Sequence, residues 1–193
     1  MIPTAPLRAR NRLAELILAS LADPGARDEL AAIGRGDADA PSWLVDDDLA
    51  YRHLLRERAH SASVALASRP PRAAAGSRAH ALDAAATLFD AYLFFEVHEL
   101  LEAFWRDALG DDREALQGLI QVAVGYQHLA NRNFAGARAL LEEGSGRLLG
   151  RRLDGNDLEP FAHAVRRSLG RLLEFDWRAV PAFPGAASRK DPS

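Results

Sequence analysis

The chain of 193 residues contains no cysteine. This absence excludes disulfide bonds, thiolate metal sites and a cysteine nucleophile. The chain also lacks any apolar run of the roughly 18–20 residues that a membrane helix requires. Its net charge of −3 is too small to recruit nucleic acid or an anionic membrane, and lysine is almost absent beside many arginines. We therefore expect a cytoplasmic protein with no membrane partner, no nucleic-acid partner and no cofactor.

Apolar residues recur at helical spacing along most of the chain, and no segment has the strict alternation of a β-strand. The pattern predicts an all-α fold, a helical bundle of stacked antiparallel helix hairpins with an N-terminal helical extension. We place that extension and its linker at 1–80, the helical core domain at 81–176 and a C-terminal tail at 177–193. The final residues, 181–193, are rich in proline, glycine and charge, and we expect them to be frayed.

A shift of 40 residues aligns two parts of the core domain. It superposes Leu100-Leu101-Glu102 on Leu140-Leu141-Glu142, and Leu109-Gly110 on Leu149-Gly150. The segment 125–144 resembles one tetratricopeptide-type helix pair. This repeat supports two stacked hairpins, and chance recurrence in a leucine-rich chain is the alternative.

Polar residues form a stripe on the helix predicted at 94–108. At 100° per residue, His98, Glu99, Glu102 and Arg106 fall within about a quarter-turn of one another. The spacing of four residues lets Glu102 contact both His98 and Arg106. Glu96 lies on the opposite side of this helix, where we expect it to be solvated.

The next predicted helix is apolar on almost every side, yet it carries a narrow polar stripe of Gln117, Gln121 and His128. Buried amides and imidazoles need hydrogen-bond partners. A short turn makes the two helices antiparallel neighbours. Counting back from the turn predicts contacts between Glu102 and Gln121 and between Arg106 and Gln117.

Three interpretations of the two stripes compete: a buried network that fixes the hairpin, an active site, and a ligand-binding pocket. The candidate catalytic residues are His98, Glu99, Glu102 and His128; the candidate ligand-binding residues are Glu99, Glu102, Arg106, Gln117, Gln121 and His128. We expect no bound metal, since H-E-L-L-E lacks the second histidine of the zinc-protease motif H-E-x-x-H.

We favour a non-enzymatic binding or interaction module with a polar cluster between two helices. Its partner would be an unidentified protein or a small polar ligand, and homo-oligomerisation stays open. The alternative is a hydrolase-like acid/base or metal-assisted enzyme that uses His98, Glu99, Glu102 and His128.

The stripes lie within longer motifs: F-F-E-V-H-E-L-L-E-A-F-W-R at 94–106, L-Q-G-L-I-Q-V-A-V-G-Y-Q-H at 116–128 and N-x-x-G-A at 133–137. At these residues the chain resembles the family catalogued as domain of unknown function 309, over about 82–149. The resemblance implies a small all-helical prokaryotic protein without an assigned activity. The family motif corresponds here to Glu96, His98, Glu99, Glu102, Trp105, Arg106, Gln117, Gly118, Gln121, His128, Asn133 and Gly136.

The chain departs from the family pattern at two turns. Tyr92 and Arg132 stand where the family tends to have glycine, and they lie 40 residues apart in equivalent turns of the proposed repeat. Glycine at such a position suggests positive φ. We therefore expect strained or altered turns at Tyr92 and Arg132.

Overall fold

The structure is a computed structural model that describes residues 6–37, 41–72 and 77–185, except for the side chain of Asp47. It divides between residues 76 and 77 into two compact units. Almost all regular structure in the described ranges is helical, which confirms the all-α prediction. None of the described helices combines the length and apolar character that a membrane span needs.

The N-terminal unit is built from three helices that contact one another: α1 (Leu7–Ala19), α2 (Pro24–Arg35) and α3 (Arg52–Ala67). A 3₁₀ segment at Asp46–Tyr51 leads directly into α3. The Asp23-Pro24-Gly25 turn after α1 starts α2. The Asp23 carboxylate accepts a hydrogen bond from the Gly25 amide at 2.8 Å, and Pro24 occupies the first helical position.

The C-terminal unit contains the remaining elements. These are α4 (Arg78–Asp90), α5 (Phe94–Asp107), α6 (Gly110–Ala130), α7 (Phe134–Leu148), β1 (Arg152–Leu153), β2 (Asn156–Asp157), α8 (Glu159–Ser168) and 3₁₀ segments at Leu169–Glu174 and Trp177–Ala179. The central helix is α6, which contacts both α5 and α7. Its apolar residues face both neighbours, as the all-round apolar sequence of this helix predicted.

Glycine lets α6 and α7 approach closely. A methyl group added to Gly144 would lie 2.9 Å from the Gly118 carbonyl oxygen and 3.0 Å from the Val122 nitrogen. One added to Gly118 would lie 2.9 Å from the Gly144 carbonyl oxygen. These facing glycines set an antiparallel packing in which the two backbones nearly touch.

The turns after α4 and α6 have the same geometry. Tyr92 has φ of 59° and Arg132 has φ of 60°, which confirms the positive φ expected at both positions. At the first turn the Tyr92 amide donates a hydrogen bond to the Phe89 carbonyl oxygen, and the Leu93 amide donates to the Leu88 carbonyl oxygen, both at 2.9 Å. The second turn repeats this pattern: the Arg132 amide donates to the Leu129 carbonyl oxygen, and the Asn133 amide donates to the His128 carbonyl oxygen. Both are Schellman motifs, with a side chain where glycine is usual.

An aromatic core joins the two ends of the C-terminal unit. Phe89 and Phe94 pack edge to face at 5.0 Å between ring centroids, and Tyr126 stacks on Phe94 at 5.4 Å. Phe183 is also buried and lies 5.1 Å from Phe89. The expectation of a frayed segment from 181 is therefore wrong at Phe183; residues 186–193 lie outside the described residues.

Three local features of the C-terminal unit interrupt its helices. At the first, α6 begins at Gly110, and Asp112 in its first turn pairs with Arg78 at 2.6 Å. At the second, α8 ends at Ser168 and a 3₁₀ segment follows. A two-residue hairpin turns at Asp154-Gly155, a turn signal that the helical periodicity obscured.

Candidate functional site

Four polar residues expected to form a stripe lie together on α5; we call His98, Glu99, Glu102 and Arg106 the α5 cluster. The His98 Nδ1 atom lies 3.4 Å from Glu99 Oε1, and its Nε2 atom lies 3.5 Å from Glu102 Oε2. Arg106 Nη2 donates to Glu102 Oε1 at 3.0 Å. The cluster is a chain of polar contacts within one helix. The His98–Glu102 and Glu102–Arg106 contacts result from the spacing of four residues, whereas His98 and Glu99 are adjacent in sequence.

The α5 cluster is partly open to solvent. The side chains of His98 and Glu102 are 28% and 31% exposed, and that of Arg106 is 67% exposed. The buried residues of α5 occupy the other side of the helix, from Glu96 and Leu100 round to Phe94. The cluster therefore lies outside the core, on the rim of α5.

Glu96 corrects a further prediction, since its side chain is fully buried rather than solvated. It lies one turn before Leu100, which is also buried, so the apolar face of α5 is wider than the sequence pattern suggested. Glu96 lies in the first turn of α5, where the helix dipole favours a carboxylate.

The α5 cluster contains the donors that could hold a divalent cation. One ligand atom from each of His98, Glu99 and Glu102 lies within 4.8 Å of the other two. His128 is not part of this group of donors. Three donors on one exposed helix face, with Arg106 bound to one of them, make a weak cage compared with the four ligands of a structural zinc site.

Two residues of the α6 stripe, Gln121 and His128, lie on the side of α6 that packs against α7. The Gln121 side chain, together with Arg147, lowers the pKa of the Glu143 carboxyl on α7. Gln121 is buried, and its Cβ lies against Gly144. In the described part of the chain no hydrogen bond joins Glu102 to Gln121, which lies on the side of α6 that packs against α7. The expected contacts of Glu102 with Gln121 and of Arg106 with Gln117 stay predictions.

His128 also belongs to the α6–α7 pair. Its Nδ1 atom lies 2.7 Å from the Asn133 Nδ2 atom, which donates to it. Asn133 Oδ1 in turn accepts from the Gly136 amide at 3.0 Å, so Asn133 caps α7 as its position predicted. Among the described residues no hydrogen bond or ion pair joins His128, Gln117 or Gln121 to the α5 cluster. The polar cluster that we predicted between α5 and α6 is therefore divided, with the α5 cluster on one helix and His128 in the α6–α7 pair.

A cleft that sequence reasoning missed lies between the start of α7 and the 3₁₀ segment after α8. Its volume is 820 Å³, and we call it the α7 cleft. It is lined by Phe134, Ala135, Arg138, Gly170, Arg171, Leu172, Leu173 and Glu174. No residue of the α5 cluster or the α6 stripe is among them.

The α7 cleft results from the end of α8. The 3₁₀ segment departs from helical values at Arg171, with φ of −131° and ψ of 30°. Leu173 is left 77% exposed beside the cleft. Gly170 was the only local signal of this break, and the leucine pattern around it resembles a continuous helix.

The comparisons with known proteins identify a family and nothing further. Residues 82–140 match the family model described as Domain of unknown function (DUF309). No curated protein matches the chain, and no solved structure matches it. The matched segment includes the α5 cluster, the α6 stripe and the α7 side of the cleft, whereas residues 170–174 lie beyond it. Over residues 82–140 the chain is therefore similar to the DUF309 family.

Proposed function

We propose that the C-terminal unit is a non-enzymatic binding module whose ligand occupies the α7 cleft. The observation that carries this proposal is the cleft itself. Its 820 Å³ lies within the ~300–1,000 Å³ of small-molecule pockets. Phe134, Leu172 and Leu173 offer apolar surface beside the charged groups of Arg138, Arg171 and Glu174. The apolar and polar parts of this lining are nearly equal, and polar groups that fix a ligand's orientation beside apolar surface are typical of such a site.

The arrangement of the candidate catalytic residues favours binding over reaction. General acid–base chemistry needs its groups within hydrogen-bond reach of one substrate. His128 bonds Asn133 at the α6–α7 turn, whereas His98, Glu99 and Glu102 pair with one another on α5. None of the four lines the cleft. The role that we assign to the α6 stripe is to hold α7 in place beside the cleft.

A neutral fluorescent probe, N-phenyl-1-naphthylamine, tests the proposal with the full chain. The probe gains fluorescence in an apolar pocket, and we expect saturable binding to the wild type. Leu173→Asp should weaken this binding roughly tenfold, since it places a charge at the apolar rim and ~1.4 kcal/mol is tenfold in affinity.

Leu109→Asp is the matched control. Leu109 is 83% exposed in the same unit and does not line the cleft, so this variant should bind the probe as the wild type does. Equal binding by both variants, or no binding to the wild type, would contradict the proposed function.

A further inference from the structure

We infer that the α7 cleft selects an organic anion with an apolar body, bound through Arg171. This inference rests on the proposed function, because it names the ligand class of the same cleft. Two guanidinium groups and one carboxylate line the cleft, from Arg138, Arg171 and Glu174. Their formal sum is one positive charge, in a protein whose net charge is −3.

The two arginines, Arg138 and Arg171, differ in the hydrogen bonds and ion pairs that they already make. Arg138 pairs with Glu142 at 3.3 Å and donates to the Leu169 carbonyl at 3.1 Å. Arg171 is exposed, and within the described residues it makes no hydrogen bond or ion pair. A guanidinium offers a planar fork of donors that suits carboxylate, sulfonate or phosphate. Arg171 is therefore the group with free capacity for an anion.

The apolar part of the ligand has its own surface. Leu173 is 77% exposed, and Phe134 and Leu172 line the same cleft. An anion without an apolar body would leave this surface in water, and a neutral apolar molecule would leave Arg171 unpaired. An amphipathic anion satisfies both parts at once, which is how a few polar groups confer specificity on an apolar pocket.

Two probes that differ by one group test the charge. The first, 8-anilinonaphthalene-1-sulfonate, carries a sulfonate that N-phenyl-1-naphthylamine lacks, and both are titrated into the full chain. Arg171→Gln should weaken binding of the sulfonate roughly two- to fivefold, the scale of one exposed ion pair, and leave the neutral probe unchanged. Raising the salt concentration should weaken only the sulfonate.

Arg178→Gln removes the same charge from another part of the C-terminal unit and serves as the control. The Arg178 side chain is 90% exposed, pairs with Asp176 and does not line the cleft. If Arg171→Gln and Arg178→Gln affect the sulfonate equally, the anion inference fails while the cleft remains a binding site. If neither probe binds the wild type, the proposed function fails as well.

Discussion

Replacing Gly144 by alanine should destabilise the C-terminal unit, because the added methyl group has no room between α6 and α7. Its nearest neighbours would be the Gln121 Cβ and two backbone atoms, the Gly118 carbonyl oxygen at 2.9 Å and the Val122 nitrogen at 3.0 Å. Backbone atoms inside two packed helices cannot move aside as a flexible side chain can. Such overpacking typically costs about 1–3 kcal/mol.

The same substitution two residues later is the control. Gly146 is exposed on α7, and the nearest atom to an added methyl group is Arg166 Nη1 at 4.0 Å. Gly146→Ala should therefore stabilise α7 by roughly 0.5–1 kcal/mol through helix propensity alone. Because both variants share that gain, the difference between them isolates the overpacking cost.

Urea unfolding of the full chain, followed by circular dichroism, measures the free energy of unfolding of each variant. Since the chain has two units, amide hydrogen exchange in α7 assigns the change to the C-terminal unit. We expect Gly144→Ala to be less stable than Gly146→Ala by about 1–3 kcal/mol. Equal stability of the two variants would refute the close packing of α6 and α7.

Three further predictions concern single positions, and a fourth concerns metal content. Burial raises the pKa of Tyr126 to about 12. An unfolded phenol ionises at about pH 10, so the free energy of unfolding should fall as the pH rises above about 10. Tyr126→Phe should remove this loss, which urea unfolding midpoints at pH ~8 and ~11 would measure. Arg132→Gly should leave the free energy of unfolding unchanged or raise it by up to about 1 kcal/mol, because it relieves positive φ, and a clear loss would contradict this account. Glu102→Gln should cost less than about 1 kcal/mol in urea unfolding, since its partners are partly exposed, and a larger loss would mean a buried role. Elemental analysis after purification without chelator or affinity metal should find no equimolar zinc, iron or manganese; an equimolar metal would assign His98, Glu99 and Glu102 as ligands and favour the enzyme alternative.

Much of the helical core could be predicted because periodicity is strong where one face of a helix is buried. The start of α5 was predicted at the observed residue, Phe94, and Asn133 stands directly before Phe134, a position where asparagine favours an N-cap. Positive φ at Tyr92 and Arg132 followed from the glycine of the family pattern. These features are local, so the sequence near each residue contains the information.

The relation between the two polar stripes could not be predicted in this way. Helical spacing places Gln121 on one face of α6, but it does not say whether α5 or α7 covers that face. The close contact between Gly118 and Gly144 places this face of α6 against α7, where Gln121 lowers the pKa of the Glu143 carboxyl. Burial of Glu96 likewise depends on how widely neighbouring helices cover α5.

The α7 cleft was missed for a related reason. Its two sides lie more than thirty residues apart in sequence, at Phe134–Arg138 and at 170–174. The second side contains the break at Arg171, and the surrounding leucines gave no sign of that break. A cleft formed by distant segments is a property of packing rather than of any motif.

Locating a bound ligand is the most direct test of the proposal that the α7 cleft is the binding site. We would record ¹H–¹⁵N correlation spectra of the full chain during titration with 8-anilinonaphthalene-1-sulfonate. The account predicts that the largest shifts fall on the amides of Phe134, Ala135, Arg138 and residues 170–174, which line the α7 cleft. Shifts concentrated instead on His98–Arg106 would contradict it and would place the functional site on α5.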